Sequence, residues 1–212
     1  MSTVFVISAP SGTGKSTLVS RLVARDRRLS FAISVTTRQP RAAEVDGEAY
    51  QFVTEDCFRE MRDRGEFLEW AEVFGHLYGT PWSAVEEARS RGTDLLLDID
   101  VQGAASLRQK LPGASLVFIL PPSSEVLAQR LRDRSSDDRE VIERRLGEAS
   151  REVRSYRFYD YVVVNDDIDR SVERLSEIVR AERSKRENME STVEPILRSF
   201  AVHEDATGEK NG

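Results

Sequence analysis

Four short apolar runs mark the chain, Val4–Ser8, Leu95–Asp98, Leu116–Leu120 and Tyr161–Val164, and each is continuous rather than alternating. Runs of this length and kind read as strands buried on both faces, as in a parallel sheet covered by helices. Helical spacing recurs between them, near residues 17–26, 101–110, 123–132, 139–157 and 168–186. The last of these carries Ile168, Val172, Leu175, Ile178 and Val179 as one stripe, with a charged remainder left for solvent. The alternation predicts an α/β fold with helices on both faces of the sheet.

That rhythm breaks between about 35 and 90. Tyr50–Val53 and Phe67–Phe74 read as strands, with a helix from Thr54 to Arg64 between them. Thr80 and Pro81 supply an N-cap and a first-turn proline for a further helix. This stretch is expected to form an inserted lobe of mixed α and β structure. A polar run, Arg132-Asp-Arg-Ser-Ser-Asp-Asp-Arg139, suggests a second, lid-like insertion between two helices. The expected division is a core of residues 1–34, 91–130 and 145–186, a lobe of 35–90, a lid of 131–144 and a polar tail of 187–212. In the tail, Val193, Ile196, Leu197 and Phe200 share a helix face, which fits either a docking helix or a partly ordered extension.

The first strand runs into Ala9, Pro10, Ser11, Gly12, Thr13, Gly14, Lys15, Ser16 and Thr17, and a helical pattern follows. A glycine-rich turn between strand and helix presents backbone N–H groups to phosphates, with the helix N-terminus adding positive charge. Lys15 would reach the terminal phosphates of a bound nucleotide and the Ser16 hydroxyl would ligate Mg²⁺. The usual first glycine of this pattern is Ala9, at the close of the strand; Gly12 and Gly14, which allow the tight wrap, are present. The expected fold is therefore of the phosphate-loop NTPase kind.

Composition narrows the class further. A chain of 212 residues with net charge −6 does not look like a general nucleic-acid binder, which would show a basic face. The single cysteine, Cys57, excludes an intrachain disulfide, and two histidines exclude a histidine-rich metal site. With no apolar span of membrane length and no N-terminal leader pattern, the chain reads as cytoplasmic.

A second constellation follows the loop: Ser34-Val-Thr-Thr-Arg38-Gln-Pro-Arg41, then Tyr50, Glu69, Tyr78 and Thr80. Either arginine alone reads as a surface charge, and the tyrosines alone as packing residues. Together in one lobe, two guanidinium forks about a rigid turn and two phenol hydroxyls suit a phosphate monoester.

With these residues in view, the chain resembles the guanylate kinase family, whose members transfer the γ-phosphoryl of ATP to GMP. The likeness runs from about Phe5 to Arg183. It rests on residues 8–16 (Ser-Ala-Pro-Ser-Gly-Thr-Gly-Lys-Ser), 36–41 (Thr-Thr-Arg-Gln-Pro-Arg), 67–71 (Phe-Leu-Glu-Trp-Ala), 78–80 (Tyr-Gly-Thr), 97–103 (Leu-Asp-Ile-Asp-Val-Gln-Gly) and 164–167 (Val-Asn-Asp-Asp). The resemblance implies that Arg38, Arg41, Tyr50 and Tyr78 hold the GMP phosphate and that Glu69, Ser34 and Thr80 read guanine. One carboxylate can accept from both guanine N1–H and the 2-amino group, whereas adenine would leave it facing an acceptor. The resemblance also places Asp98 in the Mg²⁺ water shell and Asp100 on the GMP side, although both could simply cap the helix from Val101. It assigns Arg134 and Arg145 to a lid that swings onto the ATP phosphates, with Arg130 as support, and it puts Asn165 near the ATP base. Closure of lobe and lid would keep water from the transfer, and the GDP formed would enter purine nucleotide metabolism.

The chain departs from the family pattern at Ala43, Asp133 and Ser135, where glycines are usual, which reduces backbone freedom in lobe and lid. Two other readings stay open, a kinase for another nucleoside monophosphate or phosphorylated ribose, and a non-catalytic module of the same fold that binds proteins. The compact domain suits a monomer and the apolar stripe of the tail suits a homodimer.

Overall fold

Three of the four apolar runs become buried strands; the fourth, Tyr161–Val164, is an edge strand on which Val162 and Val164 are exposed, so it is covered on one face only. The computed structural model describes residues 2–41, 44–48, 50–73, 75–134 and 139–208, with side chains for all of these except 134, 139 and 201–208. Ala43 and Ser135 lie outside the described residues, as does the Arg134 side chain. In chain order the elements are β1 (Val4–Ser8), α1 (Lys15–Arg25), β2 (Leu29–Phe31), β3 (Val35–Thr36), β4 (Gln51–Phe52) and α2 (Glu55–Asp63). Next come β5 (Phe67–Val73), β6 (His76–Pro81), α3 (Trp82–Arg91), β7 (Asp94–Asp98), α4 (Val101–Lys110) and β8 (Ser115–Leu120). The chain continues through α5 (Ser124–Arg134), α6 (Arg139–Glu152), a 3₁₀ segment Val153–Phe158, β9 (Tyr161–Val164), α7 (Ile168–Arg183) and α8 (Arg186–Gly208).

Five strands form one parallel sheet in the order β2-β7-β1-β8-β9, with Val6 opposite both Leu97 and Leu116. The period of two along each strand sorts its side chains into two layers. Val4, Val6, Leu95, Leu97, Leu116 and Phe118 face one way and pack with Val85 and Ala88 of α3 and Ala104 and Leu107 of α4. Phe5, Ile7, Leu96, Val117, Ile119 and Val163 face the other way, against Leu18, Val19 and Leu22 of α1 and Val172, Leu175 and Val179 of α7. Each fully buried leucine, isoleucine or phenylalanine contributes roughly 1.5–3 kcal/mol, so this double layer holds the strand ends in place. Those carboxyl ends are Ser8, Asp98, Leu120 and Val164, the edge at which open α/β sheets bind ligands.

The inserted stretch forms a second, four-stranded sheet in the order β4-β3-β6-β5, with β3 and β4 parallel and the remaining pairs antiparallel. Its core is small. Val35, Phe58 and Phe67 are buried, with the two rings stacked at 4.4 Å and Val53, Met61 and Leu77 around them. Helix α2 begins on Thr54, whose side chain accepts the Cys57 N–H at 3.3 Å.

Several boundaries differ from expectation. The helix expected from Thr80 and Pro81 starts at Trp82, with Pro81 at the N-cap and no side-chain capping bond. Thr80 belongs to β6 and gives its hydroxyl to Glu69, which leaves none for a cap. The helix expected over 139–157 ends at Glu152 and tightens into the 3₁₀ segment. Helices α5 and α6 reach into the polar run, to Arg134 and from Arg139, and Asp133 accepts a bond from Gln129 at 2.7 Å. Residues 186–208 form α8, on which Val193, Ile196, Leu197 and Phe200 are exposed. Among the described residues no helix is long and apolar enough to cross a membrane.

Candidate active site

The loop after β1 is built on two glycines in the left-handed region, Gly12 at φ 84° and Gly14 at φ 95°. Any other residue would be strained there, and it would also collide: a Cβ on Gly12 would lie 2.7 Å from Leu131 Cδ2, and one on Gly14 would lie 2.8 Å from Asn165 Nδ2. The loop is braced from behind. The Thr13 carbonyl accepts from Asn165 Nδ2 at 2.7 Å and from Arg130 Nη1 at 3.1 Å, while Arg130 Nη2 donates to the Asn165 carbonyl at 3.0 Å. Thr13 closes a turn onto the Pro10 carbonyl through both its N–H and its hydroxyl.

Lys15, the first residue of α1, pairs with Asp98 and donates to the Ile99 carbonyl at 3.3 Å. Asp98 ends β7, and Asp100, two residues on, caps α4 by accepting the Gly103 N–H at 2.8 Å. The capping role and a place beside the ligand are compatible here, because the cap lies at the carboxyl edge of the sheet. Ala9, Pro10, Ser11, Lys15 and Ser16 line a ≈ 510 Å³ cleft together with Asp100 and, from α6, Arg145, Glu148 and Glu152. Burial, with Asp100 close by, raises the Glu152 carboxyl above its ordinary value. Thr17 is exposed, one turn into α1.

A second cleft of ≈ 670 Å³ opens between the loop and the lobe. Ser16 and Asp98 line one side; Arg38, Arg41, Glu44, Tyr50 and Tyr78 line the other. Arg38 lies over the rings of Tyr50 (5.4 Å) and Phe52 (5.6 Å) and pairs with Glu44 at 2.9 Å. Tyr50 meets Tyr78 edge-on at 5.9 Å. Burial, helped by nearby Asp98, pushes the Tyr50 phenol up to about 12, so it is a hydrogen-bond donor at neutral pH. Arg41 is 72% exposed in its side chain and extends into both clefts.

Glu69 is the most unusual acid of the site. It sits on β5 just past a register shift between Phe67 and Glu69, the kind of bulge that re-aims a side chain. Only 3% exposed, it accepts from the Thr80 N–H at 3.1 Å and the Thr80 hydroxyl at 2.6 Å. Burial, opposed by those bonds and reinforced by Asp100, raises its carboxyl to about 7. Ser34 is buried at the entrance to β3, and its carbonyl accepts the Gln51 N–H at 2.9 Å.

The structure thus brings Ser16, Asp98, Arg38, Arg41, Tyr50 and Tyr78 around one cleft, lines the neighbouring one with loop residues 9–16, and sets Glu69 against Thr80. Asn165 takes part in bracing the loop. Three contributors were absent from the sequence reading. Glu44 orders Arg38 and accepts the Arg41 N–H at 2.8 Å, a role signalled only by its position three residues after Arg41. Lys110 donates to the Leu68 carbonyl at 2.6 Å, fastening the far end of α4 to β5, and nothing in its helical context announces this. Gly103, inside the quoted 97–103 motif, lies directly against Glu69.

The oxygen donors near the loop suit Mg²⁺ carried by a nucleotide. Ser16 and Asp98 share one cleft, and among the described residues no cluster of three or more acidic, histidine or cysteine side chains could cage a metal by itself. This fits an ion held by one or two protein oxygens plus phosphates.

Comparison with known proteins agrees with the geometry. The family model described as guanylate kinase matches residues 1–182. The chain is 50% identical over 182 residues to a guanylate kinase of Geobacter metallireducens, covering 86% of this chain and 90% of that one. Against a guanylate kinase of Escherichia coli K12 it is 50% identical over 183 residues, covering 85% and 88%. The crystal structure of guanylate kinase from Anaplasma phagocytophilum matches with a TM-score of 0.72 at 35% identity, over 90% of this chain and 94% of that one. A family model matching residues 1–182, half the residues identical over 85% or more of the chain, and a solved guanylate kinase of like fold leave one conclusion: the chain belongs to the guanylate kinase family.

Proposed function

We propose that this chain transfers the γ-phosphoryl group of ATP to GMP, giving ADP and GDP, with the acceptor seated between loop and lobe. The observation that carries the assignment is the cleft in which Ser16 and Asp98 face Arg38, Arg41, Tyr50 and Tyr78. The loop amides and the N-terminus of α1 cradle the ATP phosphates, and Lys15 exchanges its pairing with Asp98 for contact with them. Arg38 and Arg41 grip the GMP phosphate with guanidinium forks, and Tyr50 and Tyr78 donate to it without adding charge.

Glu69 and Thr80 select the base. In its carboxylate form Glu69 accepts the two guanine donors, with Ser34 beside it, and Asp100 lies on the same side. A base lacking the 2-amino group leaves a buried acceptor unpaired, and such mismatches reject an analogue by ~10⁴.

Ser16 and Asp98 would hold the Mg²⁺ that accompanies ATP and supplies neutralisation of the phosphate oxygens. Arg145, on the loop cleft, and Arg134 from the lid would stabilise the charge that spreads over the transferred group. No strong base is needed, because the attacking oxygen already belongs to a phosphate; placement and electrostatics do most of the work.

The direct test offers Mg²⁺-ATP to the purified protein with GMP, AMP, CMP, UMP or no acceptor and measures ADP. Turnover confined to GMP is expected. Turnover with another acceptor would remove Glu69 from its role, and none with any acceptor would leave a binding module.

A further inference from the structure

Gly103 is a buried glycine in the first turn of α4, and its backbone does not need to be glycine. Its φ is not among the positive values that several other glycines adopt. Alanine is also the better helix former at such a position. What the position lacks is room. A Cβ built on Gly103 would fall on Glu69 Oε2, with Asp100 Oδ1 at 3.1 Å and Glu69 Cδ at 3.2 Å. By contrast, a Cβ on Gly147, in α6, meets nothing within 4 Å.

Glu69 has little freedom to step aside. Its Oε1 is fixed by both the N–H and the hydroxyl of Thr80, and the side chain is almost wholly buried. The helix cannot readily retreat either. Ala104 and Leu107 pack it into the core, and Lys110 at its end holds the Leu68 carbonyl. An added methyl would therefore displace Oε2, the carboxylate oxygen that Thr80 does not hold.

We propose that Gly103 is a positioning residue for acceptor recognition: by lacking a side chain it keeps open the seat of Glu69 Oε2 and so sets where the base-reading carboxylate stands. This rests on the reading of Glu69 as the guanine-selecting group. The same glycine spaces Glu69 from Asp100, since both carboxylates border the place its Cβ would take, so one missing methyl sets the geometry of the pair.

The test is a double-mutant cycle of Gly103→Ala and Glu69→Ala, with KM for GMP, KM for ATP and thermal unfolding measured for every member. Gly103→Ala is expected to raise KM for GMP by about tenfold to a hundredfold and to lower the melting temperature by no more than about ten degrees, the cost of overpacking one methyl, with KM for ATP within about twofold of wild type. In the Glu69→Ala background the same change should alter KM for GMP by less than about twofold, because no carboxylate remains to displace. A normal KM for GMP in Gly103→Ala, an equal rise for both substrates, a chain that fails to fold, or a penalty that persists without Glu69 would each overturn the assignment. If Glu69→Ala itself leaves KM for GMP unchanged, the guanine-reading role falls first. If Glu69→Ala is damaged and Gly103→Ala is not, only the role of Gly103 falls.

Discussion

On the function proposed above, the two sheets of this molecule recognise phosphate in opposite ways. The five-stranded sheet is sealed on both faces by α1, α3, α4 and α7, and it presents its ligand with backbone: a loop of amides leading into a helix N-terminus. The four-stranded sheet has a small cluster of its own, Val35, Phe58 and Phe67 among the described residues, with Leu68 of β5 packing into the larger core, and it presents side chains: arginines, tyrosines and a buried carboxylate. Backbone recognition needs a rigid support and tolerates sequence change outside its glycines. Side-chain recognition needs fewer supporting contacts but depends on each residue, and a thin core opens more readily than a double-layered one.

The strongest way to break this contrast is Glu69→Ala. It is expected to lower kcat/KM for GMP by ~10³ or more while leaving ATP binding nearly intact, because only the lobe loses its reader; steady-state kinetics with each substrate varied in turn will decide. Next, Phe58→Ala should destabilise the lobe by about 3–5 kcal/mol. Amide hydrogen exchange should then quicken in β5 and β6 while β1 and β7 keep their protection; uniform loss across both sheets would make the molecule a single cooperative unit.

A third change acts through protonation. Glu69 has its folded-state value raised from 4.5 to about 7, so the folded protein binds the proton more tightly than the unfolded chain. Stability associated with that proton is present below 4.5 and is lost as pH rises through 7, a loss of roughly 3 kcal/mol. Glu69→Gln, which cannot ionise, should therefore gain stability over wild type at pH 8 and little at pH 4.5, measured by denaturant unfolding at the two values. GMP affinity in the wild type should weaken as pH falls below 7, more steeply than in Glu69→Gln. The smallest effect is expected on the backbone side: Ala9→Gly should change kcat by less than about twofold, since the wrap depends on Gly12 and Gly14.

The sheet that works through backbone was also the easier one to read. β1 and β9 fall on the residues that the apolar runs mark, and β7 and β8 each start one residue earlier. β2, only three residues long, is too short to show a period. β6 carries glycine and proline and gave no strand signal, yet it lies between β3 and β5, with its proline at the last residue where a missing donor costs least. The expected Tyr50–Val53 strand shrinks to Gln51–Phe52, as Tyr50 instead bridges Asp46. Within the site, the arginines and tyrosines stood out only as a set in one lobe, and the role of Glu69 came from the family resemblance. Glu44, Gly103 and Lys110 stayed hidden because their work is contact across elements, which periodicity cannot express.

The bonds behind the loop sort its polarity. Three of its carbonyls are turned to a donor of the protein: Pro10 to Thr13, Thr13 to Asn165 and Arg130, Gly14 to Leu18. What faces the cleft is left to the amides at the head of α1, which have no acceptors within their own helix. With those three negative ends satisfied by the protein, the polarity of the loop is tilted toward its amides. The amides welcome polyphosphate, while the acceptors that line the same cleft, Asp100, Glu148 and Glu152, are carried by α4 and α6 rather than by the loop.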